Sequence, residues 1–308
     1  LKDIEIICVN DGSTDGSMDI IMKHARADER IIIIDKKNAG YGNSMNLGID
    51  RATGEYVGVV ETDDYVLPIM FETLYNKARE LDLDFVKSDH YKFMSNSDGE
   101  EIKEYYPLTN DRSFYNRVIN PQEETGAFNL IMMTWSGIYK RSFLIKYDIK
   151  HNETPGASFQ DNGFWFQVFT QAERAYFIDK AFYMLRRDNP NSSVKSKSKV
   201  YAMSTEYDFI GNFLLKAPGR MERYKYIYQY HRCIAYHFTL KRISHEFVYE
   251  FLHKFSSDFK EPMEHGLLRQ EDFSPLIWKY TNIIIKDPDY FYCWKHYDSR
   301  YEENEPKD

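Results

Sequence analysis

Short apolar runs alternate with stretches of helical periodicity from Ile4 to Ser88. Ile4–Val9 ("IEIICV") is a β-branched run closed by the turn residues "NDGSTDG", the pattern of a buried strand. Ser17–Ala27 then sets Met18, Ile21, Met22 and Ala25 at helical spacing, with Thr14, Asp15 or Ser17 as caps. Arg30–Asp35 predicts a second strand, and Asn43–Ala52 a helix after a Gly-rich turn. Glu55–Glu61 predicts a third strand, Pro68 opens a helix running to about Leu81, and Asp84–Ser88 predicts a fourth strand. Strands that alternate with helices imply an α/β fold, a mostly parallel sheet with helices on its faces. Ligands of such sheets bind beyond the carboxyl ends of the strands.

The pattern turns polar from Ser95 to Asn120, and periodicity returns at Thr134–Tyr147. Phe159–Glu173 reads as a loop entering an aromatic helix, and "AYFID" and "AFYMLRR" as two strands. "KSKSK" (Lys195–Lys199) is a polar linker, after which long helical stretches set Tyr, Phe and Leu three to four residues apart. The expected domains are therefore 1–195, an α/β unit, and 196–308, a mainly helical one.

Composition narrows the function classes. The 308 residues carry 40 Lys and Arg against 48 Asp and Glu, a net charge of −8, so no broad basic field awaits a nucleic-acid backbone and no such partner is expected. No apolar run approaches the ~18 residues of a membrane span. Cys8, Cys233 and Cys293 are far apart and form no CxxC, which fits reduced, buried thiols of a cytoplasmic protein. Tyr and Phe, 25 and 21 in number, suit a core with ligand-facing walls.

Five segments carry candidate chemistry. In "VVETDDY" (Val59–Tyr65) an apolar strand runs into Glu61, Asp63 and Asp64; strand alternation would send Glu61 and Asp63 to one side. Acids so close repel unless a cation or hydrogen bonds neutralise them, so a divalent metal site and a solvated acidic turn are both open readings. "VNDGSTDGS" (Val9–Ser17) makes a tight strand-to-helix turn in which Asp11 can accept from a base or ribose; a plain Asx-turn also accounts for it. "NAGYGNSMNLG" (Asn38–Gly48) offers close backbone approach at its glycines, with Asn46 in the following helix, but is neither a P-loop nor GxGxxG. In "SFQDNGFWF" (Ser158–Phe166), Asp161 lies among Phe159, Phe164 and Trp165; desolvation there would raise its pKa and favour a base, and a helix cap is the simpler alternative. In "LRRDNPNSSV" (Leu185–Val194), Arg186 or Arg187 with Ser192 and Ser193 could clamp a diphosphate or simply close the domain.

Taken in order, "VNDGSTDGS", "NAGYGNSMNLGIDRATGEYVGVVETDD", "WSGIYKRSFL", "QD" before an aromatic helix and "RRDNPNSS" resemble the family 2 glycosyltransferases of GT-A fold, over roughly residues 1–195. The resemblance implies that Asp11 recognises the nucleotide, most often uracil of a UDP-sugar, with Gly40 and Asn46 in the donor-binding set. Glu61-Thr62-Asp63 would stand for the DxD motif, Asp63 being the direct ligand of Mn²⁺ or Mg²⁺ beside Glu61. Asp64 would contact sugar or ribose, Asp161 would be the general base, and Arg187 and Ser192 would lie near the donor phosphates. The chain departs from the pattern in having Glu61 as the first acid of DxD and Gln160 where an acid precedes the base. The family's first strand and helix are expected upstream of Leu1.

The resulting expectation is an inverting, metal-assisted glycosyltransferase of hexosyltransferase type. It would move a sugar from a nucleotide donor to a glycan or lipid-linked acceptor in bacterial polysaccharide biosynthesis, in the cytoplasm or at the inner face of the membrane. Arg220, Arg223, Lys225, Lys241 and Arg242 among aromatics suit either a peripheral membrane contact or a solvated helix face, and homo-oligomers are open. The alternatives are a sugar nucleotidyltransferase and a non-catalytic module that binds glycan or nucleotide.

Overall fold

The computed structural model describes residues 1–157, 159–190 and 196–297. It divides into two units, Leu1–Ser192 and Ser193–Asp308.

In the first unit, β1 (Ile6–Asp11), α1 (Ser17–Ala25), β2 (Ile31–Lys36) and α2 (Tyr41–Arg51) follow the expected alternation. β1 and β2 pair in parallel, from Ile6 opposite Ile31 to Asp11 opposite Lys36, so their carboxyl ends finish side by side. Of the expected caps, Asp15 bonds the first turn of α1, accepting from the Ser17 amide at 3.0 Å.

The next elements are β3 (Tyr56–Gly58), β4 (Tyr65–Val66), α3 (Met70–Leu81), β5 (Phe85–Ser95), β6 (Glu101–Tyr106), β7 (Val118–Ile119), β8 (Gly137–Lys140), α4 (Arg141–Lys146), α5 (Asp161–Gln171) and β9 (Ala175–Arg186). The seven strands form a second sheet in the order β3-β8-β5-β9-β4, with β6 on β5 and β7 on β9. Among the described strands, parallel pairing is confined to β1/β2 and β5/β9, so the sheet is mixed rather than mostly parallel. Hairpin and cross-sheet returns account for this, and periodicity along one strand carries no sign of its neighbour's direction.

Two further expectations change. "AYFID" and "AFYMLRR" are one strand, β9; its register against β5 slips between Ser88 and His90, which places the polar pair Asp179-Lys180 at an irregularity rather than a break. The third strand ends at Gly58 instead of Glu61, and the acids lie on a turn closed by the Asp64 amide on the Glu61 carbonyl, at 3.1 Å. Phe85, Val86, Phe177 and Tyr183 fill the centre of the sheet, and the aromatic face of α5 (Phe164, Trp165, Phe166, Phe169) is buried. The polar excursion after β5 is tied down by Asp89, fully buried, which accepts from the Leu108 amide at 2.8 Å and the Tyr115 hydroxyl at 2.6 Å.

The second unit is helical: α6 (Ala202–Leu215), α7 (Arg220–Arg242), α8 (His245–Glu264), α9 (Pro275–Lys286) and α10 (Pro288–Tyr297). Phe251, Phe255 and Phe259 recur every fourth residue on α8 and bury against Cys233 and Tyr236 of α7 and Ile284 of α9. Of the basic residues expected to face a membrane or solvent, Lys225 pairs with Glu222, Arg220 donates to the Phe213 carbonyl, and Arg242 donates to the carbonyls of Ser196 and Lys199. Among the described residues no helix is long and apolar enough to cross a membrane. Cys233 is buried as expected, whereas Cys8 is half-buried and Cys293 exposed.

Candidate active site

Asp11 ends β1, and the parallel register sets Lys36 directly opposite. Its carboxylate accepts from the Lys36 ammonium, from the Ala39 amide at 2.8 Å and from the Gly40 amide at 3.0 Å. Burial works against ionisation here, but these three donors together hold the carboxyl below its ordinary value. Gly12 next to it has φ +72°, and Gly40 has φ +92°; a Cβ on Gly40 would lie 2.6 Å from the Thr154 carbonyl. Glycine is therefore required where the chain enters α2 against the 151–157 loop.

Asn46 occupies a different place from the one expected of a donor-binding residue. It is buried on α2, donates to the His151 carbonyl at 3.0 Å and to Glu153 at 2.9 Å, and accepts from the His151 amide at 2.8 Å. Its amide is spent on fastening that loop to α2. Gln160, the residue in place of an acid, fastens the same loop from the other side, donating to Thr154 Oγ1 at 2.9 Å and the Gly156 carbonyl at 3.0 Å. A carboxylate could not make those bonds.

The acidic turn is held from three directions. The Tyr41 hydroxyl donates to Glu61 Oε1 at 2.7 Å. The Glu61 amide donates to the Tyr183 hydroxyl at 3.0 Å, which donates in turn to Asp64 Oδ2 at 2.8 Å, while the Arg186 amide donates to Asp64 Oδ1 at 2.8 Å. Asn189 Nδ2 donates to Asp63 Oδ2 at 2.7 Å, and Asp63 is exposed. Burial pushes the Glu61 carboxyl up to about 7, with the charges of Asp64, Asp161 and Asp63 adding to it against the Tyr41 hydrogen bond. Burial and the Asp63 charge likewise raise Asp64. Among the described residues no group of three or more His, Cys, Asp or Glu could hold a metal ion by itself. Glu61 and Asp63 each have one oxygen engaged, by Tyr41 and by Asn189, and of the two Asp63 is the exposed one. A Mn²⁺ or Mg²⁺ ion shared between one carboxylate and substrate phosphates fits this donor set; an all-protein cage does not.

Asp161 is the first residue of α5, and Gln160, not Asp161, holds the cap position. Burial pushes its carboxyl up to about 6, against the hydrogen bonds of Asn162 and the charge of Lys87. Its charge is felt at Glu61 and Tyr41, so the glycine turn, the acidic turn and α5 meet there. Arg187 lies on the exposed segment after β9, and its charge reaches Asp64 and His90. Ser192, the other residue expected near the donor phosphates, lies outside the described residues.

Sequence reasoning missed Lys36, Tyr41, Lys87 and Tyr183. Tyr41 directly follows Gly40 inside a quoted motif, and Lys87 is a lone cation in the run "DFVKSDH"; those two signals were legible.

Residues 1–147 match the model for "Glycosyl transferase family 2". This part of the chain belongs to that family. The chain is 34% identical over 198 residues to the Bacillus subtilis protein described as "Uncharacterized glycosyltransferase EpsJ", covering 62% of this chain and 55% of that one. It is 32% identical over 240 residues to the cholesterol galactosyltransferase of Borreliella burgdorferi, covering 74% and 64%. It thus spans a little over half to just under two thirds of these curated relatives. Among solved structures, S. aureus TarS 1–349 in complex with UDP-GlcNAc superposes with a TM-score of 0.64 at 18% identity, covering 92% of this chain and 79% of that one. The fold is GT-A, with a helical C-terminal region.

Proposed function

We propose that the chain is an inverting glycosyltransferase that takes its sugar from a UDP-linked donor and delivers it to a hydroxyl of a glycan or lipid-linked acceptor. The observation that carries this reading is the single connected path from Asp11 through the Gly40 turn and Tyr41 to Glu61, whose carboxyl feels the charge of Asp161. A bound solved neighbour, TarS with UDP-GlcNAc, supports the choice of donor.

In this reading Asp11, fixed as a carboxylate by its three donors, accepts from the nucleotide. Asp64, held by Tyr183 and the Arg186 amide, presents itself to the donor's sugar or ribose. Arg187 adds positive charge near the phosphates. Asp63 would hold Mn²⁺ or Mg²⁺, which would neutralise charge on the departing diphosphate. Asp161 takes the proton of the acceptor hydroxyl as its oxygen bonds the anomeric carbon; the bond from that carbon to the diphosphate breaks with inversion, and UDP leaves. A carboxyl near 6 suits this work, being ionised at neutral pH yet more basic than an ordinary aspartate.

Calorimetric titration of UDP against GDP, in Mn²⁺ and then in EDTA, tests the reading. UDP binding that needs the metal supports it. A folded protein that binds neither nucleotide overturns it in favour of a non-catalytic module.

A further inference from the structure

Lys87 lies in the middle of β5 and is 2% exposed. Its ammonium donates to the Met133 carbonyl at 2.7 Å, the Trp135 carbonyl at 2.8 Å and the Tyr139 hydroxyl at 3.1 Å. Among the described residues no carboxylate comes within ion-pair distance of it. Burying a cation without an adjacent carboxylate is costly, and the fold makes room for it. Gly137 stands opposite Lys87 in the β5/β8 register, and a Cβ there would lie 2.7 Å from Lys87 Cγ. The missing side chain is the space through which the lysine stem runs.

Two lines lead from this ammonium to the site. Trp135, whose carbonyl it holds, stacks on Tyr183 at 4.5 Å between ring centroids, and Tyr183 carries the bonds to Glu61 and Asp64. Tyr139, which it also holds, packs edge-on against Phe164 of α5, one turn beyond Asp161. We propose that Lys87 is a positioning residue for the base, a buried cation that seats Trp135 through two backbone carbonyls and supplies the internal counter-charge of Asp161. This rests on the reading of Asp161 given above.

The groups facing Asp161 bear this out. Glu61, raised to about 7, is mostly protonated where Asp161 titrates and offers no counter-charge, and the Tyr41 and Tyr139 phenols are held protonated by burial. His151, stacked on Phe164 at 4.3 Å, is kept neutral by burial, which takes it down to about 3. Lys87 is the cation among them. Burial lowers it to about 7, so its charge is present over the range in which Asp161, near 6, gives up its proton.

The test is Lys87→Met, which keeps the stem and removes the charge, followed by the pH dependence of kcat/KM and by ¹³C NMR of the Asp161 carboxyl, assigned with D161N. The Asp161 titration should move up by about one pH unit, so the loss relative to the parent should grow about tenfold between pH 8 and pH 5. A variant less heat-stable but with the Asp161 titration unmoved would make Lys87 merely structural and overturn the proposal. The reciprocal measurement does not depend on how K87M folds: in D161N the Lys87 ammonium should titrate at lower pH than in the parent, and an unchanged value would also overturn it. Both NMR titrations read the Lys87–Asp161 coupling even if the parent transfers no sugar, so failure of the catalytic reading would be seen separately.

Discussion

The Tyr41 hydroxyl donates to Oε1 of Glu61 at 2.7 Å, and that bond joins the glycine turn after β2 to the acidic turn after β3. The residues are 20 positions apart, Tyr41 opening α2 and Glu61 on the turn beyond β3. Tyr41→Phe removes the donor and leaves a partly buried carboxyl with one partner fewer. The expected cost is about 1–2 kcal/mol in urea unfolding at neutral pH. UDP affinity should fall as well, since the acidic turn loses its tie to the donor side; unchanged stability and affinity would show the bond to be incidental.

Asp161 should control the acid side of the rate profile. As a base it acts when ionised, so kcat/KM should rise through pH about 6 and level off above it. An aspartate at its ordinary 3.8 would put that limb two units lower. D161N should lower kcat by about 10²- to 10⁴-fold while UDP binding, measured calorimetrically, stays within a small factor of the parent. The folding equilibrium carries the opposite sign: because the folded value exceeds the unfolded one, this carboxyl makes the protein less stable as pH rises from about 4 to about 6.

Asn46→Asp separates fastening from ligand binding. The new carboxylate would face the His151 carbonyl and Glu153, where the amide now donates at 3.0 and 2.9 Å. A stability loss of about 2–4 kcal/mol is expected in thermal or urea unfolding. The UDP dissociation constant of the folded fraction should change little; a large change with unchanged stability would return Asn46 to the donor-binding set.

Gly42→Ala pits helix propensity against space. In an open helix the change would gain about 0.5–1 kcal/mol. Here the Cβ would lie 2.0 Å from the Asn152 carbonyl oxygen, so α2 or the loop must move. The clash should win, leaving a net loss of about 1–3 kcal/mol by chemical denaturation.

What the sequence determined by itself was local. The β-branched runs, the turn after β1 and the spacing of α8 state their own conformation, because strand and helix periods are properties of neighbouring residues. The ordered motifs likewise placed Asp11, Asp63, Asp64 and Asp161 in one family's pattern. Pairing direction, by contrast, belongs to two segments at once, so "AYFID" and "AFYMLRR" could not announce that they continue one strand beside β5. The same holds for partners. Asn46 looks like any helix amide until the His151 backbone meets it 105 positions later, and Lys87 looks like a surface lysine until Gly137 yields the space for its stem. Only tertiary structure fixes which polar groups lose water and what they receive in exchange, and that decides which side chains remain free to meet a substrate.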